Sequence, residues 1–149
     1  MPMERPVREA EVSVFSHATE DEEKVKHAVK ALLGLEPEFT EARLEGHYND
    51  PIILLTAKLD RKEATDSLTR IYTRLSSLDK RALLDSLVNR VDEGGSLYIR
   101  LDKQRAYNGR AVLAENDPIR IKFRLQLPHR AEPVSYVREV LVGMEDGEN

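Results

Sequence analysis

Ile119-Arg-Ile-Lys-Phe-Arg-Leu-Gln-Leu127 alternates without a break between apolar and polar residues. A period of two sends Ile119, Ile121, Phe123, Leu125 and Leu127 to one face of a strand, and Arg120, Lys122, Arg124 and Gln126 to the other. The stretch therefore predicts a sheet with one buried apolar face and one displayed cationic face. It lies in a basic third of the chain: residues 98–130 carry eight Arg or Lys against three Asp or Glu, whereas the whole protein has a formal net charge of -4. A basic face on an acidic protein points to directed contact with an anion, and a nucleic-acid backbone fits that description best.

The flanking segments extend the sheet. After Gly95, Leu97, Ile99 and Leu101 alternate with Tyr98, Arg100 and Asp102 as another strand. A polar excursion over residues 103–109, a candidate short strand over 110–115 and a turn at Asn116-Asp117-Pro118 connect the two. Nearer the start, residues 10–17 read as a first strand with Ala10, Val12 and Val14 opposed to Glu11, Ser13 and Phe15. Thr19 and Glu22 have the spacing of a reciprocal helix cap. Val25, Ala28, Val29, Leu32 and Leu33 make that helix's inward stripe, and Gly34 stops it. Residues 39–46 and 51–59 predict an antiparallel hairpin turning around 46–50.

Asp60 and Glu63 predict a second capped helix, with Ala64, Leu68, Ile71, Tyr72 and Leu75 on its buried face. Asp79 is placed to cap a third, carrying Leu83, Leu84, Leu87, Val88 and Val91. Pro133 opens a last helix containing Val134, Val137, Val140 and Leu141, with a strand as the alternative because of its β-branched content. The order predicts an α+β fold: a single-domain two-layer sandwich over residues 9–142, mostly antiparallel, with helices on one sheet face and the other face open. Residues 1–8 and 143–149 are expected as flexible termini.

Composition narrows the function. The 149 residues, 40% hydrophobic and 34% charged, suffice for one real core. Without cysteine there is no thiolate metal site, disulfide framework or cysteine nucleophile. A secretion signal and a bilayer-crossing apolar run are both missing, so the expected location is cytoplasmic, without membrane attachment. Phosphate-binding loop, His-Glu-x-x-His and nucleophile-elbow motifs are likewise missing. The expectation is a noncatalytic protein with no cofactor and no metal. With three Phe, five Tyr and no Trp, backbone contact should dominate over base stacking.

The candidate nucleic-acid residues are Arg100, Lys103, Gln104, Arg105, Tyr107, Arg110, Arg120, Lys122 and Arg124. Their plainer reading is a solvated surface balanced by Glu11, Glu41 and Glu45. Within residues 103–109, read as an exposed turn, Lys103 and Arg105 would meet phosphates. Gln104 and Asn108 would bond a base or 2′-hydroxyl, and Tyr107 would stack on an unpaired base. The alternative there is a hairpin in which Asn108-Gly109 sets the turn and Tyr107 packs locally. A secondary polar site combines His17 and Thr19 at the first helix start with His47 and Asn49 in the central turn. Helix capping and ordinary turn chemistry are the favoured readings of those four residues.

Three separated motifs carry a family resemblance: Phe15-Ser-His-Ala-Thr-Glu-Asp-Glu-Glu-Lys24, Gly46-His-Tyr-Asn-Asp-Pro-Ile52 and Arg100-Leu-Asp-Lys-Gln-Arg-Ala-Tyr-Asn-Gly109. Together they resemble the archaeal family of predicted RNA-binding, exosome-associated proteins, over most of residues 10–142. Asn108 departs from the more apolar residue of that pattern. The resemblance implies a ribosomal protein L5-like fold, RNA as partner, and exosome or ribosome-related proteins as associates. Residue reading and resemblance together predict a noncatalytic adaptor that binds structured RNA. The alternative is a protein-interaction or dimerisation module, including a homodimer, without direct RNA binding.

Overall fold

A computed structural model describes residues 4–45 and 50–147. Strand β1 (Val7–Ser16) is central and antiparallel to both neighbours. Around it, β2 (Thr40–Glu45), β3 (Pro51–Leu59), β4 (Ser96–Leu101) and β5 (Ile119–Leu125) complete a five-stranded sheet in the order β2-β3-β1-β5-β4. The alternation in β5 is realised as expected: Ile119, Ile121, Phe123 and Leu125 are buried, while Arg120 and Arg124 are exposed and Lys122 is half-buried. Ala10, Val12 and Val14 of β1, Leu55, Ala57 and Leu59 of β3, and Leu97, Ile99 and Leu101 of β4 join them on the core side. Fully burying each large aliphatic or aromatic side chain stabilises the fold by roughly 1.5–3 kcal/mol.

The helices lie on that one side. Helix α1 (Glu22–Leu33) and helix α2 (Arg61–Arg74) bury the stripes foreseen for them. The Asp60–Glu63 capping box is formed in both directions. Gly34 closes α1 at φ 71°, a left-handed backbone conformation that favours glycine, and a Cβ there would also lie 2.8 Å from the Arg70 guanidinium, whose flexible end would have to move. Helix α3 (Ser77–Asp85), the short α4 (Leu87–Arg90) and α6 (Pro133–Gly147) finish the layer. α6 seals it with Tyr136, Val137, Val140 and Leu141.

Several local expectations are corrected. Asp21, not Thr19, caps α1, accepting from the Glu23 N–H; Glu20 instead turns back to accept from the His17 N–H. Ser76 caps α3, and Asp79 instead accepts from the Leu113 N–H across 34 residues. The third helix breaks at Ser86, whose hydroxyl bonds back to the Ala82 carbonyl, and Val88 is left exposed. Residues 110–115 contribute only a bridge between Leu113 and Leu101. The segment 103–109 is a short helix, α5 (Lys103–Tyr107), capped by Asp102, rather than a hairpin turn. Secondary structure also reaches into both stretches expected as termini: β1 starts at the fully buried Val7, whose N–H meets the Thr65 hydroxyl, and α6 continues to Gly147.

Candidate nucleic-acid interface

Pairing register brings the outward residues of the strands into rows across the open face. One row reads Lys58, Glu11, Lys122, Tyr98 from β3 to β4; the next reads Thr56, Ser13, Arg120, Arg100. A third places Glu9 against Arg124, after a register shift between Val7 and Glu9. Towards the other corner the face turns apolar, with Phe15 opposite Leu54, Leu54 opposite Ala42, and Ile52 opposite Leu44. Thus β5, buried on one side, supplies the cations of the other, and its neighbours decide which of those cations are free.

Arg124 is tied to Glu9 at 3.0 Å, and Arg100 to Glu115 at 3.1 Å. Arg120 and Lys122 form no ion pair among the described residues. Each instead sits over an aromatic ring of the same face: Arg120 lies 5.8 Å from the centre of Phe15, and Lys122 lies 5.7 Å from the centre of Tyr98. The Tyr98 hydroxyl donates to Asp92 Oδ2 at 3.1 Å. The Ser96 N–H, opposed by burial and helped by Tyr98 and the Gly94 N–H, holds the Asp92 carboxyl below its ordinary value, so it stays an acceptor for Tyr98 at neutral pH.

Glu41 and Glu45, expected to balance the basic strand, belong to the opposite side of β2, since Ala42 and Leu44 share the side of Leu54 and Ile52. Glu41 there meets Lys26 and Glu22 of α1, and a hydrogen bond shared with the Glu22 carboxyl pushes Glu41 up. Of the three acids named for balance, only Glu11 lies among the cations.

The residues of α5 do not join this face. Lys103 is mostly buried, 13% exposed, and its ammonium donates to the Phe15 carbonyl (2.8 Å), Glu20 (3.1 Å) and Asp117 (2.9 Å). His17 Nε2 lies 3.0 Å from the other Asp117 oxygen. Partial burial raises the Asp117 carboxyl, but the hydrogen bonds from Lys103 and His17 outweigh it and hold the group below its ordinary value. His17, Glu20 and Asp117 lie within 4.8 Å of one another. The cation Glu20 and Asp117 share is Lys103, so the cluster fastens the ends of β1 and α1 to the entrance of β5. The Lys103 ammonium, expected to meet phosphate, is thus occupied by two carboxylates and a carbonyl of the protein itself.

Tyr107 packs against His27 of α1 with the rings tilted by 56° and their centres 4.6 Å apart, and it lines an open groove of about 570 Å³ together with Val25 and Ala28. Gln104 lines the same groove, while Arg105 and Arg110 are exposed on α5 and just after it. The candidate residues therefore divide into Arg100, Arg120, Lys122 and Arg124 on the sheet and Lys103 to Arg110 at its end. Thr19 is exposed between β1 and α1, whereas His47 and Asn49 lie outside the described residues. Lys58, Phe15 and Tyr98 also lie on the open face, though sequence reading does not single them out. Their outward phase in the strands was readable, but strand order, which sets them beside Arg120 and Lys122, was not.

A family model described as RNA binding matches residues 9–125. Similar proteins include an RNA-binding protein of Pyrococcus abyssi, 33% identical over 141 residues, covering 89% of this chain and 92% of that one. A UPF0201 protein of Thermococcus kodakarensis is 36% identical over 129 residues, covering 82% of this chain and 84% of its own length. Among solved structures, a DUF54 protein of Archaeoglobus fulgidus has a TM-score of 0.78 at 32% identity over 90% of this chain and 99% of that chain. A DUF54 protein of Sulfolobus solfataricus shares the fold with a TM-score of 0.76 at 24% identity, over 95% and 100% of the two chains.

Proposed function

The chain belongs to the family whose model is described as RNA binding, with DUF54 and UPF0201 proteins of archaea among its members, and we propose that it binds RNA through the open face of its sheet. The observation that carries this reading is the pair Arg120 and Lys122, two cations held on a rigid strand without carboxylate partners among the described residues. Phosphate contacts by such groups position a nucleic acid and release its counterions. The family's description names binding rather than a reaction. The finer role, a cytoplasmic adaptor that presents structured RNA to the exosome, is supported by the motif resemblance alone, as is the likeness to ribosomal protein L5. Among the described residues no helix is long and apolar enough to cross a membrane.

Equilibrium titration of labelled RNA over a salt series tests the reading. Saturable binding that weakens with salt and is reduced by Arg120→Ala and Lys122→Ala is expected; binding indifferent to both substitutions would reject the face.

A second reading, homodimerisation, is favoured by a different observation. The edge strand β2 is exposed along all six residues, with Leu44 43% exposed beside the apolar corner of Ala42, Ile52 and Leu54. An unpaired edge next to apolar surface can pair with a second copy. Sedimentation equilibrium of the parent and of Leu44→Lys decides it: a dimer lost in the variant supports the reading, and a monomeric parent at high concentration removes it.

A further inference from the structure

Resting on the RNA-binding reading, we propose that Phe15 and Tyr98 are two base-stacking positions on the open face, so that the ligand is an unpaired stretch of RNA, such as the loop of a hairpin. The two rings occupy opposite corners of the basic region. Phe15 is the last outward residue of β1, two positions beyond Ser13, and Ser13 pairs with Arg120. Tyr98 is on the edge strand β4, directly across from Lys122. Two strand spacings and four residues along the strand separate them, roughly 16 Å. A span of this length calls for a short single strand crossing the sheet diagonally, over the Arg120–Lys122 pair.

Three features suit the rings to stacking. Both side chains keep solvent access, with Phe15 half-buried and Tyr98 40% exposed. Tyr98 is held in place by its hydroxyl's bond to Asp92, and the Phe15 backbone by the Lys103 ammonium on its carbonyl. Little ordering therefore remains to oppose binding. Arg120 lies over the Phe15 ring and Lys122 over the Tyr98 ring, both near the outer limit of cation–π range, so each ring has a cation within reach of the phosphate of a stacked nucleotide. A base on the ring and its phosphate on the neighbouring cation would then form one repeated unit.

A paired duplex has its bases buried in the stack and offers neither ring a face, which is why the chemistry selects unpaired nucleotides. Tyr107, the aromatic that sequence reading favoured for this role, is as exposed as Tyr98 but lies against His27 in the helical layer, off the cationic sheet face.

The test uses the full chain with a hairpin RNA carrying 2-aminopurine in its loop and, separately, a blunt duplex of equal charge. Stacking quenches the 2-aminopurine emission, and the absence of tryptophan keeps the protein's own signal low. Phe15→Leu and Tyr98→Leu should each weaken the hairpin about tenfold, reduce the quench and leave duplex binding unchanged. The ring-preserving Phe15→Tyr should bind like the parent, and Tyr98→Phe, which keeps the ring but loses the bond to Asp92, should lose clearly less than Tyr98→Leu; these two carry the comparison if a leucine variant fails to fold. If the parent binds RNA with salt dependence but the leucine variants match it in affinity and quench, or ring-preserving variants lose as much as ring-deleting ones, the stacking assignment is wrong while RNA binding stands. If the parent binds neither RNA at low salt, both readings fall.

Discussion

Replacing Arg120 and Lys122 together by alanine should abolish most of the salt dependence of RNA binding. The open face carries three cations outside ion pairs among the described residues, Lys58, Arg120 and Lys122; Arg100 and Arg124 are held by Glu115 and Glu9. Glu11 pairs in register with both Lys58 and Lys122 and offsets about one charge, leaving about two for phosphate. Each phosphate neutralised on a single strand contributes about 0.7 to the slope of log affinity against log salt, so the parent slope is about −1.4 and affinity falls about sevenfold between roughly 50 and 200 mM salt. Either single variant should fall only about 2.6-fold over the same range, and the double variant should be nearly flat. Fluorescence anisotropy with one labelled hairpin at four salt concentrations measures all of these. Both substitutions are at accessible positions away from the core, so folding stability should move by no more than about 0.5 kcal/mol each, which thermal melts verify. A double variant that retains the sevenfold fall would refute the reasoning, because the phosphates would then be held elsewhere.

Other outcomes follow from the same contacts. Glu9→Gln should release Arg124, steepen the salt slope by about 0.7 and tighten RNA binding at low salt. Lys103→Met should lower the melting temperature by about 6 °C, a loss of about 2 kcal/mol, because Glu20, Asp117 and the Phe15 carbonyl lose a shared, largely buried donor, and should weaken RNA binding less than Phe15→Leu, since the ring itself is kept. Asp117, held below its ordinary value, binds its proton more weakly in the folded protein than in the unfolded chain. Its stabilising contribution is therefore complete above about pH 4 and is lost as the pH falls through the lowered folded value. Denaturation followed from neutral to acidic pH should show this acid-side loss in the parent and a shallower one in Asp117→Asn, a residue that tolerates the positive φ of 45° found there.

Patterns that are local in sequence carried most of the fold. The uninterrupted alternation of β5, the stripe of α1 and the reciprocal Asp60–Glu63 cap each involve a few consecutive residues, and each forms as its spacing requires. Expectations failed where a local signal competes with a distant partner. Asp79 looks like a cap, but its carboxylate is used by the Leu113 N–H. Residues 103–109 have hairpin composition, yet Asp102 caps a helical turn there and α1 supplies the surface that stabilises it. Lys103 illustrates the same limit for function: one basic residue among several in sequence, it is the one enclosed by carboxylates from positions 20 and 117. The cationic strand was legible because alternation alone assigns its faces. Which of its charges are free depends on Glu9 and Glu115, and that requires the topology.

The most direct test of the central claim is backbone amide chemical-shift mapping of the 17.0 kDa protein during titration with a hairpin RNA. The account predicts shifts concentrated on the open-face strands, at Ser13, Phe15, Tyr98, Arg120 and Lys122, with α1 and α5 little changed. Shifts gathered instead around Lys24, Gln104 and Tyr107, with β5 silent, would contradict it and move the RNA site to the groove between α1 and α5.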